Sequence, residues 1–101
     1  MRKSSREIID QSNQTGVQFL FAELKTASTF LDVANVTQVV ETRDRNRAHA
    51  WKAYCTALRL MPRVVPSPEE AAELEKQITQ LKKELEEVGY FSDPHNGSAS
   101  A

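Results

Sequence analysis

Most of the side chains that could do chemistry lie in one stretch, RDRNRAHAWKAYCTALRLMPR, at residues 43–63. It holds the single tryptophan, the single cysteine, one of the two histidines and six of the arginine and lysine residues. Nucleophilic catalysis by Cys55 would need a neighbouring base and a group to orient that base. His49 is six positions away, about 120° round a helix, so it cannot be that base. We therefore predict that Cys55 is a small packed thiol and that the protein is not an enzyme.

Metal and cofactor chemistry are also disfavoured by composition. One cysteine and two histidines, one of them near the C-terminus, are too few for a zinc site, and there is no glycine-rich phosphate loop. A single cysteine cannot form an internal disulfide, which fits a reducing compartment. No signal peptide pattern and no run of about 18 apolar residues is present. We expect a cytoplasmic protein with no cofactor, no metal and no membrane segment.

Five side chains of residues 43–63 lie nearly opposite the apolar face of a predicted helix and form what we call the basic stripe: Arg45, His49, Lys52, Arg59 and Arg63. One interpretation is a docking surface for an acidic partner or a phosphate backbone, where each cation adds a salt-sensitive attraction. The other is a solvated face, which could neighbour the acidic third helix. Nucleic acid is disfavoured, because no exposed aromatics alternate with these cations and the pI is about 6.1.

Arg43 and Arg47 differ from the basic stripe because they continue the apolar face at its N-terminal end. Two cations at a helix N-terminus oppose the helix dipole. We predict an ion pair to a carboxylate such as Asp32 or Glu41; the alternative is an anion-binding pocket at Arg43 and Arg47.

The spacing of apolar residues predicts three helices, over about 12–36, 43–61 and 68–88. The first has an apolar ladder spaced 4, 3, 4 and 3: Leu20, Leu24, Ala27, Leu31 and Ala34. Thr42 is expected to cap the second helix and Pro62 to end it. Ser67 and Glu70 have the spacing of a capping box for the third, and Gly89 suits its C-terminal end.

Three amphipathic helices of matched length predict an all-α fold, an antiparallel up-down-up three-helix bundle with disordered termini, spanning residues 12–89. Residues 1–11 are expected to be frayed, or to add a loose turn or two of helix. Residues 90–101 are expected to be disordered, although Tyr90 and Phe91 could fold back on the end of the bundle. Eight residues are predicted to be mostly buried: Leu24, Leu31, Trp51, Leu58, Leu74, Ile78, Leu81 and Leu85.

Some of these residues resemble a known repeat. The second predicted helix carries Ala50, Tyr54, Ala57 and Pro62 at spacings similar to those of the second helix of a tetratricopeptide repeat, and the first carries a comparable set, Ala27, Phe30, Leu31 and Ala34. A single copy closed by a third helix is more similar to the MIT (microtubule interacting and trafficking) family. This resemblance, over about residues 27–88, implies a scaffold that receives a partner helix or peptide in an interhelical groove.

The charge distribution also favours binding. Residues 43–63 carry six basic and one acidic side chain, whereas residues 69–87 carry seven acidic and three basic ones. We expect a small helical adaptor that binds a protein or peptide partner. The alternative is a self-associating structural protein that dimerises through the first or third helix. A weaker alternative is a nucleic-acid accessory protein that uses the basic stripe.

Overall fold

The computed structural model describes the backbone of residues 5–91 and the side chains of residues 11–91. It contains helices α1 (Ser5–Val36), α2 (Val40–Leu60) and α3 (Pro68–Glu87), with a short 3-10 helix at Met61–Arg63 after α2. The described residues form no strand. The helices run up, down and up, which confirms the predicted all-α three-helix fold. The predicted tail beyond Phe91 and the first four residues lie outside the described residues.

Helix α1 begins at Ser5, so it includes much of the segment that was expected to fray. No proline interrupts this stretch, and a nucleated helix gains one hydrogen bond with each added residue. The predicted apolar ladder of α1 is confirmed: its five members and Val17 are each at most 2% exposed.

The connection between α1 and α2 is shorter than predicted, residues 37–39 rather than 37–42. The expected cap at Thr42 was wrong, because α2 starts three residues earlier with Val39 as N-cap and no side-chain cap. Thr42 lies inside the helix, where its carbonyl oxygen accepts a hydrogen bond from Asn46 Nδ2 at 2.8 Å. The N–H of Arg43 instead donates to the carbonyl of Val39 at 2.9 Å.

Helix α2 packs closely on α1 because its inner face is built from small residues. Ala50, Ala53 and Ala57 are buried, and the adjacent Tyr54 is 3% exposed. The prediction that Leu58 is buried was wrong, since it is 39% exposed. It lies at the edge of the inner face two turns beyond Trp51, and the residues after α3 cover Trp51 only.

Helix α3 has the predicted ends. The Glu70 N–H donates to Ser67 Oγ and the Ser67 N–H donates to Glu70 Oε1, which completes the capping box. Gly89 adopts a positive φ of 97°, as expected for the residue that stops a helix. The predicted burial of three leucines is confirmed: Leu74, Leu81 and Leu85 are at most 3% exposed, whereas Ile78 is half-buried.

Tyr90 and Phe91 fold back on the end of the bundle. Their ring centroids lie 5.4 and 5.1 Å from that of Trp51, and the Phe91 ring also meets the edge of Tyr54 at 5.6 Å. Trp51 is therefore half-buried inside an aromatic cluster rather than fully buried. The bundle includes residues 90 and 91, which corrects the expected start of the tail at residue 90.

The α2–α3 connection is held against the N-terminal half of α1. Asn13 Nδ2 donates to the Val65 carbonyl at 2.9 Å, and the Val65 N–H donates to Asn13 Oδ1 at 2.6 Å. Next to this pair, Gly16 gives room to Val64: a Cβ added to Gly16 would lie 2.5 Å from Val64 Cγ1. These contacts fix the direction in which the chain enters α3.

Candidate functional site

All five members of the basic stripe are exposed, four on α2 and Arg63 on the 3-10 helix that follows it, so none of them is covered by the acidic α3. The His49 ring stacks on Phe30 of α1 with centroids 5.0 Å apart, which places that end of the stripe beside α1. Arg59 donates to Thr56 Oγ1 on its own helix at 3.3 Å. The structure therefore keeps the basic stripe together as one solvent-facing surface.

Changing Arg45, Lys52 and Arg59 together to glutamine is expected to leave stability nearly unchanged. The three side chains are exposed, and such surface substitutions usually change the free energy of unfolding by no more than about 0.5 kcal/mol each. Thermal unfolding at low and high salt measures this. Two results together would mean that structural ion pairs hold the stripe in place: a large loss of stability in the triple variant, and a loss of stability in the parent protein when salt is added.

Arg43 and Arg47 lie half-buried one turn apart at the start of α2. The Nε atoms of both are buried and have no hydrogen-bond partner, so the predicted ion pair to Asp32 or Glu41 does not involve either Nε. Two like charges at this spacing repel each other near the positive end of the helix dipole. Whether another atom of either guanidinium meets a carboxylate or an anion stays a prediction.

A groove of about 840 Å³ runs between α1 and α3. Its floor is apolar and is formed by Phe21 and Leu24 of α1 and Leu81 of α3. Its rims are polar or charged except at Ala72, and their other members are Lys25, Ser28, Glu75, Lys76, Gln77, Thr79, Gln80 and Glu84. An apolar floor between polar rims is the usual form of a surface that receives an amphipathic helix.

The two ends of this groove differ in charge. Glu84 is half-buried at the C-terminal end of α3, and burial raises the pKa of its carboxyl group. The nearby carboxylate of Asp32 on α1 raises that pKa further, although a hydrogen bond with Gln80 opposes the shift. Lys25 and Lys76 line the groove about two helical turns from this acidic pair. The groove is therefore acidic at one end and contains basic side chains further along.

Replacing Glu84 with glutamine is expected to stabilise the protein at neutral pH. Because the pKa of Glu84 is higher in the folded protein than in the unfolded chain, the unfolded chain loses this proton at a lower pH. The free energy of unfolding therefore falls as pH rises above about 4.5. Because Glu84 is partly exposed, the gain should not exceed about 0.5 kcal/mol at pH 7. It should shrink as pH falls towards 4.

Chemical denaturation at several pH values measures the effect, with Glu73→Gln on the exposed side of α3 as the matched control. A pH-independent effect of Glu84→Gln, or an equal effect of the control, would contradict a pKa of Glu84 that burial and Asp32 raise in the folded protein.

Cys55 is half-buried and free, and burial raises the pKa of its thiol although the nearby Arg59 opposes the shift. A protonated thiol is a weak nucleophile. Burial also raises the pKa of Tyr54, and Cys55 and Glu86 raise it further. Among the described residues, no group of three or more histidine, cysteine or acidic side chains could hold a metal ion. Within that same part of the chain, no helix is long and apolar enough to cross a membrane.

The residues of the α1–α3 groove were not identified from the sequence. The available signal was Phe21, which widens the apolar face of α1 beyond the ladder that α2 covers. An apolar face that is wider than α2 can cover requires a third helix or a partner on that side of α1. Periodicity alone could not indicate how far apart α1 and α3 would lie.

Comparison of the chain with protein-family models, with curated proteins and with solved structures found no match. The resemblance to tetratricopeptide and MIT domains therefore stays a prediction. The function has to be argued from the residues of this chain.

Proposed function

We propose that the protein is a small helical interaction module that binds an amphipathic helix of a protein partner in the α1–α3 groove. The observation that carries this proposal is the groove itself, about 840 Å³ in volume with Phe21, Leu24 and Leu81 at its floor. A helix that lays apolar side chains in this groove would remove the exposed part of Phe21 from water, together with the aliphatic parts of the rim side chains, which stabilises association. Leu24 and Leu81 are at most 3% exposed and serve mainly to shape the floor.

The charges along the groove specify the partner further. The acidic end at Asp32 and Glu84 favours a lysine or arginine on the bound helix. Lys25 and Lys76, about two turns away, outnumber the neighbouring Glu75, so this part of the groove favours an aspartate or glutamate. The expected partner helix has an apolar stripe flanked by one basic and one acidic position about two turns apart.

The basic stripe supports the same function in a secondary way. Its five side chains are exposed on α2 and the 3-10 helix that follows it, outside the groove. They would attract an acidic segment that flanks the bound helix, and this attraction would weaken with salt. We assign the apolar groove the main share of the affinity, because exposed ion pairs contribute little.

A designed peptide tests the proposal: a fluorescein-labelled helix with a leucine stripe, one lysine and one glutamate two turns apart. We expect saturable binding by fluorescence anisotropy. Ser28→Trp fills the groove and should weaken binding by about tenfold or more. Ala48→Trp, on the exposed face of α2, is the matched control and should bind as the parent does.

A second peptide, with glutamate in place of the lysine, should bind more weakly, because Asp32 and Glu84 would repel it. The proposal is wrong if the first peptide shows no saturable binding, or if Ser28→Trp and Ala48→Trp bind alike.

A further inference from the structure

The outward face of α1 carries a second regular pattern, which we call the outer stripe. It is spaced 3, 4, 3, 4 and 3 and consists of Phe19, Ala22, Thr26, Thr29, Val33 and Val36. All six side chains are exposed and none is charged, although charged residues make up 27% of the chain. A solvated helix face normally carries charges, so the outer stripe has the composition of a covered face.

Phe19 is the prominent side chain of this stripe. It is 49% exposed and is the only aromatic among the exposed large hydrophobic residues of the described chain. Val33 and Val36, further along the same face, are 41% and 80% exposed. Exposed apolar residues that lie in line along one helix, rather than scattered singly, indicate an interaction surface.

The same face contains a hollow of about 340 Å³ two to three turns beyond Phe19. It is lined by Ala22, Lys25, Thr26, Thr29 and Phe30. Small side chains at Ala22 and Thr26 form its base, whereas Phe30 and Lys25 form its edges. One face of α1 thus carries both a protruding aromatic ring and a hollow able to accept one.

We propose that this protein forms a homodimer in which a second copy packs antiparallel on the outer stripe. In that arrangement Phe19 lies opposite Thr29 of the second copy, and Ala22 lies opposite Thr26. Each Phe19 ring then enters the other copy's hollow, so both contacts form at once. Such a self-complementary surface is what a two-fold interface requires.

Charge favours a second copy as the occupant, and the contact area sets how tightly it binds. Two uncharged stripes bring no like charges together along the contact line and bury no unpaired ion. Lys25, at the edge of the hollow, would place its ammonium group against the inserted Phe19 ring. From Ser12 to Val36 the face is about 36 Å long and about 10 Å wide. This is at the low end for specific interfaces, so we expect a dimer with a micromolar dissociation constant.

Sedimentation equilibrium of the full chain tests the dimer over about a hundredfold range of concentration. We expect the mass to rise from 11.4 kDa towards twice that value. Phe19→Glu and Thr26→Glu should each raise the dissociation constant by about tenfold or more, because each buries an unpaired charge. Val65→Glu, at an 80% exposed position outside α1, is the matched control and should dimerise as the parent does.

The antiparallel register has its own test. A mixture of Ala22→Lys and Thr26→Glu chains brings lysine opposite glutamate and should associate more tightly than either variant alone. Circular dichroism shows that each variant remains helical. A parent chain that stays monomeric throughout, or Phe19→Glu and Thr26→Glu variants that dimerise as the parent does, would overturn the proposal. The outer stripe lies on a different face of α1 from the α1–α3 groove, and Ser28 lines only the groove, so Ser28→Trp should leave the dimer unchanged.

Discussion

Truncating Leu81 to alanine is expected to lower the free energy of unfolding by about 2–5 kcal/mol. The side chain is 3% exposed and belongs to the core where α3 meets the α1–α2 pair. Its removal loses apolar burial and leaves a cavity that the helices fill only in part. Urea denaturation followed by circular dichroism measures the change.

Leu58→Ala is the matched control for this measurement, because it removes the same atoms from a side chain that is 39% exposed. We expect it to cost less than about 1 kcal/mol. Equal losses for the two variants would mean that α3 does not cover the core, or that Leu58 is buried by a neighbouring molecule.

Changing Gly16 to valine is expected to destabilise the protein by about 1–3 kcal/mol. Glycine is normally unfavourable inside a helix by about 1 kcal/mol relative to alanine. At position 16, however, the space that a side chain would need is filled by Val64, whose Cγ1 would lie 2.5 Å from a Cβ added to Gly16. The α2–α3 connection would have to move away from α1 and would strain the paired hydrogen bonds between Asn13 and Val65.

The contact between position 16 and Val64 can be tested by truncating the Val64 side chain. In a Val64→Ala background, Gly16→Ala should become stabilising by up to about 1 kcal/mol, because only the gain in helix propensity remains. Thermal denaturation of the single and double variants gives the comparison. A Gly16→Val variant as stable as the parent would contradict the close approach of the connection to α1.

The helices could be predicted from the sequence because their signals are local. The 3–4 apolar ladder of α1 and the capping box at Ser67 and Glu70 each depend on neighbours within one or two turns. The start of α2 could not be predicted from propensity, because four β-branched residues around Val39 disfavour helix while the structure begins α2 at Val40.

The placement of side chains at the edges of the helices was also not predictable. Trp51 and Leu58 lie on the same edge of α2, yet the aromatic turn after α3 covers only Trp51. Likewise, the sequence shows that Phe21 is apolar but not that α1 and α3 leave a groove above it. The burial of these side chains depends on the distances between helices, which the spacing of apolar residues in the sequence does not specify.

The basic stripe was the site singled out from the sequence, and the structure adds two apolar surfaces to it. The α1–α3 groove and the outer stripe lie on different faces of α1, with Lys25 lining both the groove and the hollow. A dimer through the outer stripe would leave both grooves open. Two linked grooves would raise the avidity for a partner that carries two helices.

Site-specific photo-crosslinking tests the central claim, that a partner docks in the α1–α3 groove. A photoreactive amino acid is placed at Thr79 on the exposed rim of the groove, and in a matched chain at Val65, which is exposed and lies outside both the groove and the basic stripe. Both chains are irradiated in the cells that produce the protein, and the adducts are separated by mass. We predict a discrete adduct with another protein from position 79 that is absent from position 65. The same adducts from both positions, or none from position 79, would contradict the assignment of the groove as the binding site.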